Sequence, residues 1–144
     1  MKLTYEKATI ENVENIFEGN KELLDQYEEI NGLDYVNILT MLRAKIESNI
    51  DEYKVIFCDG QKAGYFRTHF HSEMMEFDDL YIFSEFRNQQ IGTKIMRKCC
   101  EEAGLPVILY VFAKNVGAVS LYERLGFRII ENINDKVYLM KLYN

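Results

Sequence analysis

The stretch Asp79-Leu-Tyr-Ile-Phe-Ser-Glu-Phe-Arg-Asn-Gln-Gln-Ile-Gly92-Thr93 predicts a strand that leads through a short polar loop into a helix. Its first residues are rich in aromatic and β-branched side chains, which favour a strand. From about Gln90 onward, apolar residues recur at helical spacing until Gly104 interrupts them. A helix start carries unpaired N–H groups and the positive end of the helix dipole. With Arg87 just before it, this loop is suited to binding phosphate oxygens.

A second segment, Asn115-Val-Gly-Ala118-Val-Ser-Leu-Tyr122-Glu-Arg-Leu-Gly126-Phe127, follows in the second half of the chain. Together the two segments resemble the GNAT superfamily of acyl-CoA-dependent N-acyltransferases. The pyrophosphate loop of that family reads (Arg/Gln)-x-x-Gly-x-(Gly/Ala) after a Leu-x-Val strand. Here Leu80-x-Ile82 and Arg87-x-x-Gln90-x-Gly92 occupy those places. The second family segment, Asn-x-x-Ala-x-x-x-Tyr-x-x-x-Gly-Phe, matches at every position.

One position departs from the family pattern. Gln90 stands where the family usually has the first glycine of the loop. Glycine adopts positive φ without steric cost, whereas glutamine does not. We therefore expect Gln90 to serve only in a helical φ, with weaker binding of the coenzyme.

Length and composition limit the class of protein. The 144 residues suit one domain, 1–144, and the 48% of hydrophobic and 28% of charged residues are typical of a soluble globular protein. The net charge of −6 disfavours a nucleic-acid surface, and no apolar run approaches membrane-spanning length. The N-terminus lacks the apolar core of a signal peptide. Cys58, Cys99 and Cys100 show no CxxC spacing, so we expect reduced thiols and a cytoplasmic location.

The order of periodic segments predicts the fold class. We expect βααβββαβαββ, an α/β (α+β) fold with a mixed, mainly antiparallel six- to seven-stranded sheet and helices on both faces. A helix capped by Thr9 is expected to run to a break at Asn31-Gly32, and Asp59-Gly60 is typical of a hairpin turn. Residues 106–113 are apolar on both faces, which predicts a strand covered on both sides.

The resemblance also implies a ligand and a site. Acetyl-CoA, as co-substrate, would insert where the parallel strands 79–83 and 107–112 separate, and an amine would attack its thioester. Backbone N–H groups near Ile82 and Phe83 would polarise the thioester carbonyl. The implied coenzyme-binding residues are Leu80, Tyr81, Ile82, Phe83, Arg87, Asn88, Gln89, Gln90, Ile91, Gly92, Thr93, Asn115, Ala118 and Tyr122. Lys94, Arg97 and Lys98 continue from Arg87 as a basic helix face, which would adjoin the 3′-phosphate-ADP end.

Two residues of the second segment have both a structural and a functional interpretation. Tyr122 belongs to an apolar helix stripe, which by spacing alone favours a core aromatic. The resemblance instead makes it the general acid that protonates the leaving thiolate. Asn115 is a helix N-cap by its position, and the resemblance adds a contact with the coenzyme arm.

The general base is expected among the carboxylates before the loop. Glu76 lies eleven positions before Arg87, where members of the family often carry a catalytic carboxylate. Asp78, Asp79 or a water molecule remain alternatives, and a strand with one wet face carries carboxylates in any case. Four acids within residues 73–79 would also favour a cationic substrate.

A different class would rest on His69, His71 and Glu73. Their i, i+2, i+4 spacing would place three metal ligands on one face of an extended strand. A turn near Ser72 would break that alignment, so no metal is assigned and the histidines are expected to be exposed or to line the substrate.

The sequence therefore predicts an acetyl-CoA-dependent N-acetyltransferase acting on a small-molecule or peptide primary amine, with no nucleic-acid or membrane partner. A homodimer is compatible with this prediction. The alternative is a sensor or scaffold of the same fold that binds acetyl-CoA without turnover. The acceptor is not identified, because the family varies its specificity through the N-terminal helices. Here these span residues 10–50, with Tyr27, Glu28, Glu29, Asp34 and Tyr35 as candidate lining.

Overall fold

The computed structural model describes residues 1–28, 30 and 32–144, and within them the chain forms seven strands and four α-helices in the predicted order. The strands form a mostly antiparallel sheet, which confirms the predicted fold class. The strands are β1 (Leu3–Lys7), β2 (Tyr53–Cys58), β3 (Gln61–Phe70), β4 (Met75–Ile82), β5 (Val107–Phe112), β6 (Arg128–Ile133) and β7 (Val137–Leu142). The helices are α1 (Val13–Tyr27), α2 (Gly32–Ser48), α3 (Ile91–Ala103) and α4 (Val116–Arg124).

The contacts divide the chain into two compact units, Met1–Arg67 and Thr68–Asn144. In the first unit β2 pairs antiparallel with β1 and with the start of β3. Asp59 and Gly60 join β2 to β3 with φ of +50° and +84°, the left-handed pair that a two-residue hairpin turn requires. The predicted hairpin is therefore confirmed.

The start of α1 differs from the prediction. A 3₁₀ turn, Ile10–Asn12, precedes the helix, which begins at Val13. The Thr9 backbone N–H donates to Asn12 Oδ1 at 2.8 Å, so Thr9 caps the 3₁₀ turn instead of α1. The short polar side chain of Asn12 accepts a hydrogen bond from the Thr9 backbone, and such a local bond stabilises a 3₁₀ turn in place of the first turn of an α-helix. The predicted break falls partly on Asn31, which lies outside the described residues, and α2 begins at Gly32.

In the second unit the strand order is β4-β5-β7-β6. β4 and β5 run parallel, whereas β7 pairs antiparallel with both β5 and β6. One face of β5 and β7 is a buried apolar layer that includes Val107, Leu109 and Met140. This layer gives the second unit its core.

The prediction that β5 is covered on both faces is wrong. On its other face Ile108 and Phe112 are only half-buried, and Tyr110 is 51% exposed. The apolar composition of β5 does not require that other elements pack on both of its faces, because a tyrosine can pack its ring while its hydroxyl stays in water.

The ends of the second unit are tied together by side chains. Gly104 ends α3 in the left-handed conformation, with φ of +61°. The side-chain amide of Asn144 donates to the carbonyls of Cys100 and Leu105, at 2.8 Å each.

All three cysteines are free thiols, with Cys58 and Cys100 buried. None of the helices in the described part of the chain has the length and apolar character needed to cross a membrane.

Candidate functional site

The parallel strands β4 and β5 begin side by side and then stop pairing. In the described chain their register joins Met75 to Val107 and Glu76 to Ile108, while β4 continues to Ile82. Asp79 interrupts the ladder with φ of +53°, and its N–H donates to Asp78 Oδ1 at 2.9 Å. A left-handed residue inside a strand bends it and ends regular pairing. The register of the two parallel strands therefore ends near the place where the sequence resemblance implies an opening.

The loop after β4 is held to the end of that strand. The Arg87 Nε–H donates to the Ile82 carbonyl at 2.9 Å, and the guanidinium lies 5.3 Å from the centroid of the Tyr81 ring. Phe83 precedes a 3₁₀ turn, where its carbonyl accepts from the Phe86 N–H at 2.9 Å. The structure thus brings Tyr81, Ile82, Phe83 and Arg87 together at the strand end.

Gln90 adopts a left-handed backbone, with φ of +61° and ψ of +22°. Gln90 therefore does not have the helical φ that the sequence pattern required of it. Its conformation is set by the loop that it closes, in which Asn88 also has a positive φ of +63°. Gln90 thus has the backbone conformation that a glycine would adopt, and this conformation is strained for a residue with a side chain.

α3 begins immediately after Gln90. The Lys94 N–H donates to the Gln90 carbonyl at 3.1 Å, which is the first hydrogen bond of the helix. The N–H groups of residues 91–93 lie before this bond and therefore belong to the helix N-terminus, where N–H groups point outward. A Cβ at Gly92 would lie 3.4 Å from Leu80 Cδ2, so the start of α3 packs closely against β4. The loop residues Asn88 and Gln89 are exposed, and Ile91 is buried.

The basic face of α3 lies in water. Lys94, Arg97 and Lys98 are all exposed. Lys98 Nζ lies 3.9 Å from Glu102 Oε1 one turn further on. This face is a solvated surface in the structure, as basic helix faces usually are.

Asn115 lies between the end of β5 and the start of α4. Its N–H donates to the Phe112 carbonyl at 2.9 Å, and its Oδ1 accepts from the Ala118 N–H at 3.2 Å. The predicted N-cap is therefore confirmed. The cap fixes the direction in which α4 leaves the end of β5.

Tyr122 is a half-buried phenol on α4. Removal from water, together with the nearby negative charge of Asp78, raises the pKa of Tyr122 to about 12. Its ring centroid lies 6.1 Å from that of Phe127. The phenol therefore keeps its proton at neutral pH, and the Asp78 carboxylate, on β4, is close enough to influence it.

Glu76 has a partner that the sequence analysis missed. His71 Nε2 lies 3.3 Å from Glu76 Oε1, and the His69 and His71 rings meet edge to face at 4.7 Å between centroids. The predicted turn is present, because the His71 N–H donates to the Met74 carbonyl at 2.8 Å. Among the described residues, no three His, Cys, Asp or Glu side chains are arranged to hold a metal ion. In the sequence, this contact is indicated only by the five-residue spacing of His71 and Glu76 across a predicted turn.

In the first unit, α1 and α2 border a groove of about 450 Å³ whose lining includes Phe17, Tyr35 and Arg43. Tyr35 is one of the predicted acceptor-lining residues, and its hydroxyl donates to Asp25. Arg43 lies over the Phe17 ring at 4.1 Å and bonds Glu14 at 2.7 Å. Another predicted lining residue, Glu29, lies outside the described residues.

Solved structures of low sequence identity share this fold. PaiA N-acetyltransferase from Thermoplasma acidophilum, in complex with coenzyme A, is 20% identical with a TM-score of 0.74, and the match covers 100% of both chains. Spermidine N-acetyltransferase from Vibrio cholerae, in complex with CoA and spermine, is 17% identical with a TM-score of 0.68, covering 98% of this chain and 95% of that one. Arabidopsis thaliana Naa50, in complex with the bisubstrate analogue CoA-Ac-MVNAL, is 14% identical with a TM-score of 0.69 and full coverage of both chains.

The sequence comparisons differ in their outcome. The comparison with curated proteins found no significant match. The model of the acetyltransferase (GNAT) family matches residues 17–127, which is more than half of the chain and includes both motif segments. The chain therefore belongs to the GNAT family of acetyltransferases.

Proposed function

We propose that this protein transfers an acetyl group from acetyl-CoA to a primary amine of a cationic acceptor, by direct attack in a ternary complex. The observation that carries the proposal is that the register of β4 with β5 ends at Glu76, two residues before the Asp78 carboxylate that acts on the protonated Tyr122 phenol. Membership of the acetyltransferase family supports the same reaction.

The residues around the end of this register fit acetyl-CoA. The left-handed Gln90 and the small Gly92 give the loop and the start of α3 the shape that a pyrophosphate site at a helix N-terminus needs. The pantetheine arm would run along β4 beyond Glu76, where its register with β5 ends. The residues that would hold the coenzyme are Leu80, Tyr81, Ile82, Phe83, Arg87, Asn88, Gln89, Gln90, Ile91, Gly92, Thr93, Asn115, Ala118 and Tyr122.

Acetyl-CoA supplies an acetyl group activated as a thioester. In the proposed reaction Glu76 takes a proton from the ammonium of the acceptor, so that its nitrogen can attack. Backbone N–H groups near Ile82 and Phe83 stabilise the negative charge on the thioester oxygen. The Tyr122 hydroxyl donates its proton to the departing sulfur. The second proton that the nitrogen loses on becoming an amide leaves through water and restores the Tyr122 hydroxyl. Asp78, Asp79 and water are the alternatives to Glu76 as the base.

The electrostatics of Tyr122 keep its phenol protonated. A phenol whose pKa is raised to about 12 is protonated throughout the neutral range, as a proton donor must be. The Asp78 carboxylate contributes to this, because a second negative charge nearby disfavours the phenolate. The same carboxylate would attract a positively charged amine.

The preference for a cationic acceptor rests on charge. The net charge is −6, and Glu73, Glu76, Asp78 and Asp79 are concentrated around β4. Proteins of the same fold have been solved with spermine or with a peptide-like bisubstrate analogue. We therefore propose polyamines and peptide amines as the first acceptors to test.

The alternative is a sensor that binds acetyl-CoA without turnover, and the glycine missing at Gln90 is the observation that would favour it. Because Gln90 adopts the left-handed backbone, that observation no longer supports loss of function. Catalysis is therefore the proposal that the geometry supports better.

The test replaces the Tyr122 hydroxyl alone. Tyr122→Phe keeps the ring, and we expect kcat to fall by about 10²–10⁴-fold, the usual range for general acid catalysis. The dissociation constant of acetyl-CoA should stay unchanged, because the lost contact forms only in the transition state. Tyr143→Phe is the matched control, since Tyr143 is an exposed tyrosine just beyond the end of β7 and outside the proposed site. Acetylated product should be followed by mass, because free cysteines react with thiol dyes.

Full activity of Tyr122→Phe would remove Tyr122 from the mechanism. A lower melting temperature with normal turnover would identify Tyr122 as a packing residue. Another group would then have to protonate the sulfur.

A further inference from the structure

We propose that His71 is a positioning residue that holds the Glu76 carboxylate in the orientation needed to take the proton of the amine. This inference rests on the proposed function and extends it to a residue outside the family motifs. It starts from the 3.3 Å contact between His71 Nε2 and Glu76 Oε1.

The histidine ring is held in place by its own surroundings. The turn that follows β3 is closed by the bond from the His71 N–H to the Met74 carbonyl. The edge-to-face contact with His69 packs the ring at 4.7 Å between centroids. A ring fixed at its backbone and at its edge can orient a flexible carboxylate.

The two side chains of the pair differ in their exposure to solvent. The His71 side chain is 44% exposed and the Glu76 side chain 20%. The histidine therefore lies on the more solvated side of the pair, and the carboxylate lies further from water. This is the arrangement expected when a surface group supports a base that works in a cleft.

Glu76 lies at the end of the register between β4 and β5. It is the last β4 residue in register with β5, opposite Ile108. Asp78 lies two residues further, about 6–7 Å along the strand, and its charge acts on Tyr122. Alternate strand residues share a face, so the carboxylates of Glu76 and Asp78 leave β4 on the same side.

The proposed role follows from the donor inventory of the pair. A neutral imidazole with its proton on Nε2 donates to Glu76 Oε1, which leaves Oε2 to accept a proton from the acceptor ammonium. The N–H bond of the ammonium breaks, an O–H bond forms on Glu76, and the imidazole keeps its proton. Without His71 the carboxylate can rotate among its rotamers, and misplaced catalytic groups react slowly.

The kinetic test compares three variants. His71→Phe keeps a ring but removes the donor, so we expect kcat to fall by about 10²-fold, with KM for acetyl-CoA unchanged. His71→Gln retains an N–H donor and should keep most of the activity, which a packing role would not predict. His69→Phe is the matched control, because it preserves the ring contact without touching Glu76. Equal losses for His69→Phe and His71→Phe, or no loss for His71→Phe, would overturn the proposal.

A second measurement does not depend on turnover. The chain has only two histidines, so their ring nitrogens can be resolved by ¹⁵N NMR. We expect His71 to carry its proton on Nε2 in the wild type, and its ring signals to change in Glu76→Gln while those of His69 change less. Unchanged His71 signals would overturn the pairing itself. If the signals change but no amine is acetylated, the pair stands and the proposed function fails.

Discussion

Gln90→Gly is expected to stabilise the protein without changing how tightly it binds acetyl-CoA. Gln90 has φ of +61° and ψ of +22°, the left-handed region where an L-residue costs about 1–2 kcal/mol. Glycine avoids that cost, but it adds about 0.5–1 kcal/mol of conformational freedom to the unfolded chain. The difference predicts a gain of about 0.5–1 kcal/mol in the free energy of unfolding.

The gain should be visible in both chemical and thermal unfolding. For a chain of this size, 1 kcal/mol corresponds to roughly 2–4 °C in melting temperature. Urea titration gives the free energy of unfolding, and an unchanged slope would show that the denatured state is unaffected. Calorimetry should give an acetyl-CoA dissociation constant within about threefold of wild type, because the strain is present in the free and the bound protein alike.

Gln89→Gly is the matched control. Gln89 has the same side chain and is exposed, but it is not among the residues with positive φ. Glycine at that position should therefore destabilise the protein, by about 0.5–1 kcal/mol. If Gln90→Gly destabilises as much as Gln89→Gly, the left-handed backbone of the loop is refuted. If affinity falls sharply, the Gln90 side chain itself contacts the coenzyme.

Two further predictions concern stability. The pKa of Tyr122 is raised to about 12 and that of Cys100 to about 11, both chiefly by burial, so the folded state holds protons that the unfolded chain releases. The stabilising contribution of these two groups should be lost progressively between about pH 9 and 12, and urea titrations across that range should show a smaller fall in stability for Tyr122→Phe. Glu52→Ala should cost about 2–4 kcal/mol in the same assay, because Arg67 is buried and bonds Glu52 at 2.8 Å, whereas Lys21→Ala, which breaks an exposed pair, should cost far less.

Local signals account for what the sequence predicts well. The Asp59-Gly60 turn and the Asn115 cap each depend on a few adjacent residues, and both are present in the structure. The start of α3 was likewise located to within one residue, because its apolar spacing and the preceding loop are continuous in sequence. Hydrogen bonds within four residues can be inferred without knowing the rest of the fold.

Conformations imposed by the wider structure were not predictable in the same way. Propensity disfavours glutamine in the left-handed region, and the loop closure between β4 and α3 overrides that preference at Gln90. The exposure of Tyr110 depends on what covers each face of β5, which composition does not specify. The contact between His71 and Glu76 requires the register of the turn, and the effect of Asp78 on Tyr122 joins residues 44 positions apart.

The most direct test of the proposed activity is acetyl transfer itself. The protein should be incubated with isotope-labelled acetyl-CoA and a panel of primary amines that contains polyamines, peptides with free α-amino groups, and neutral amines. We expect the label on the nitrogen of at least one cationic amine, detected by mass, and far less product with Tyr122→Phe over the same time. The account would be contradicted if acetyl-CoA raises the melting temperature but no amine acquires the label, or if acetyl-CoA does not bind at all.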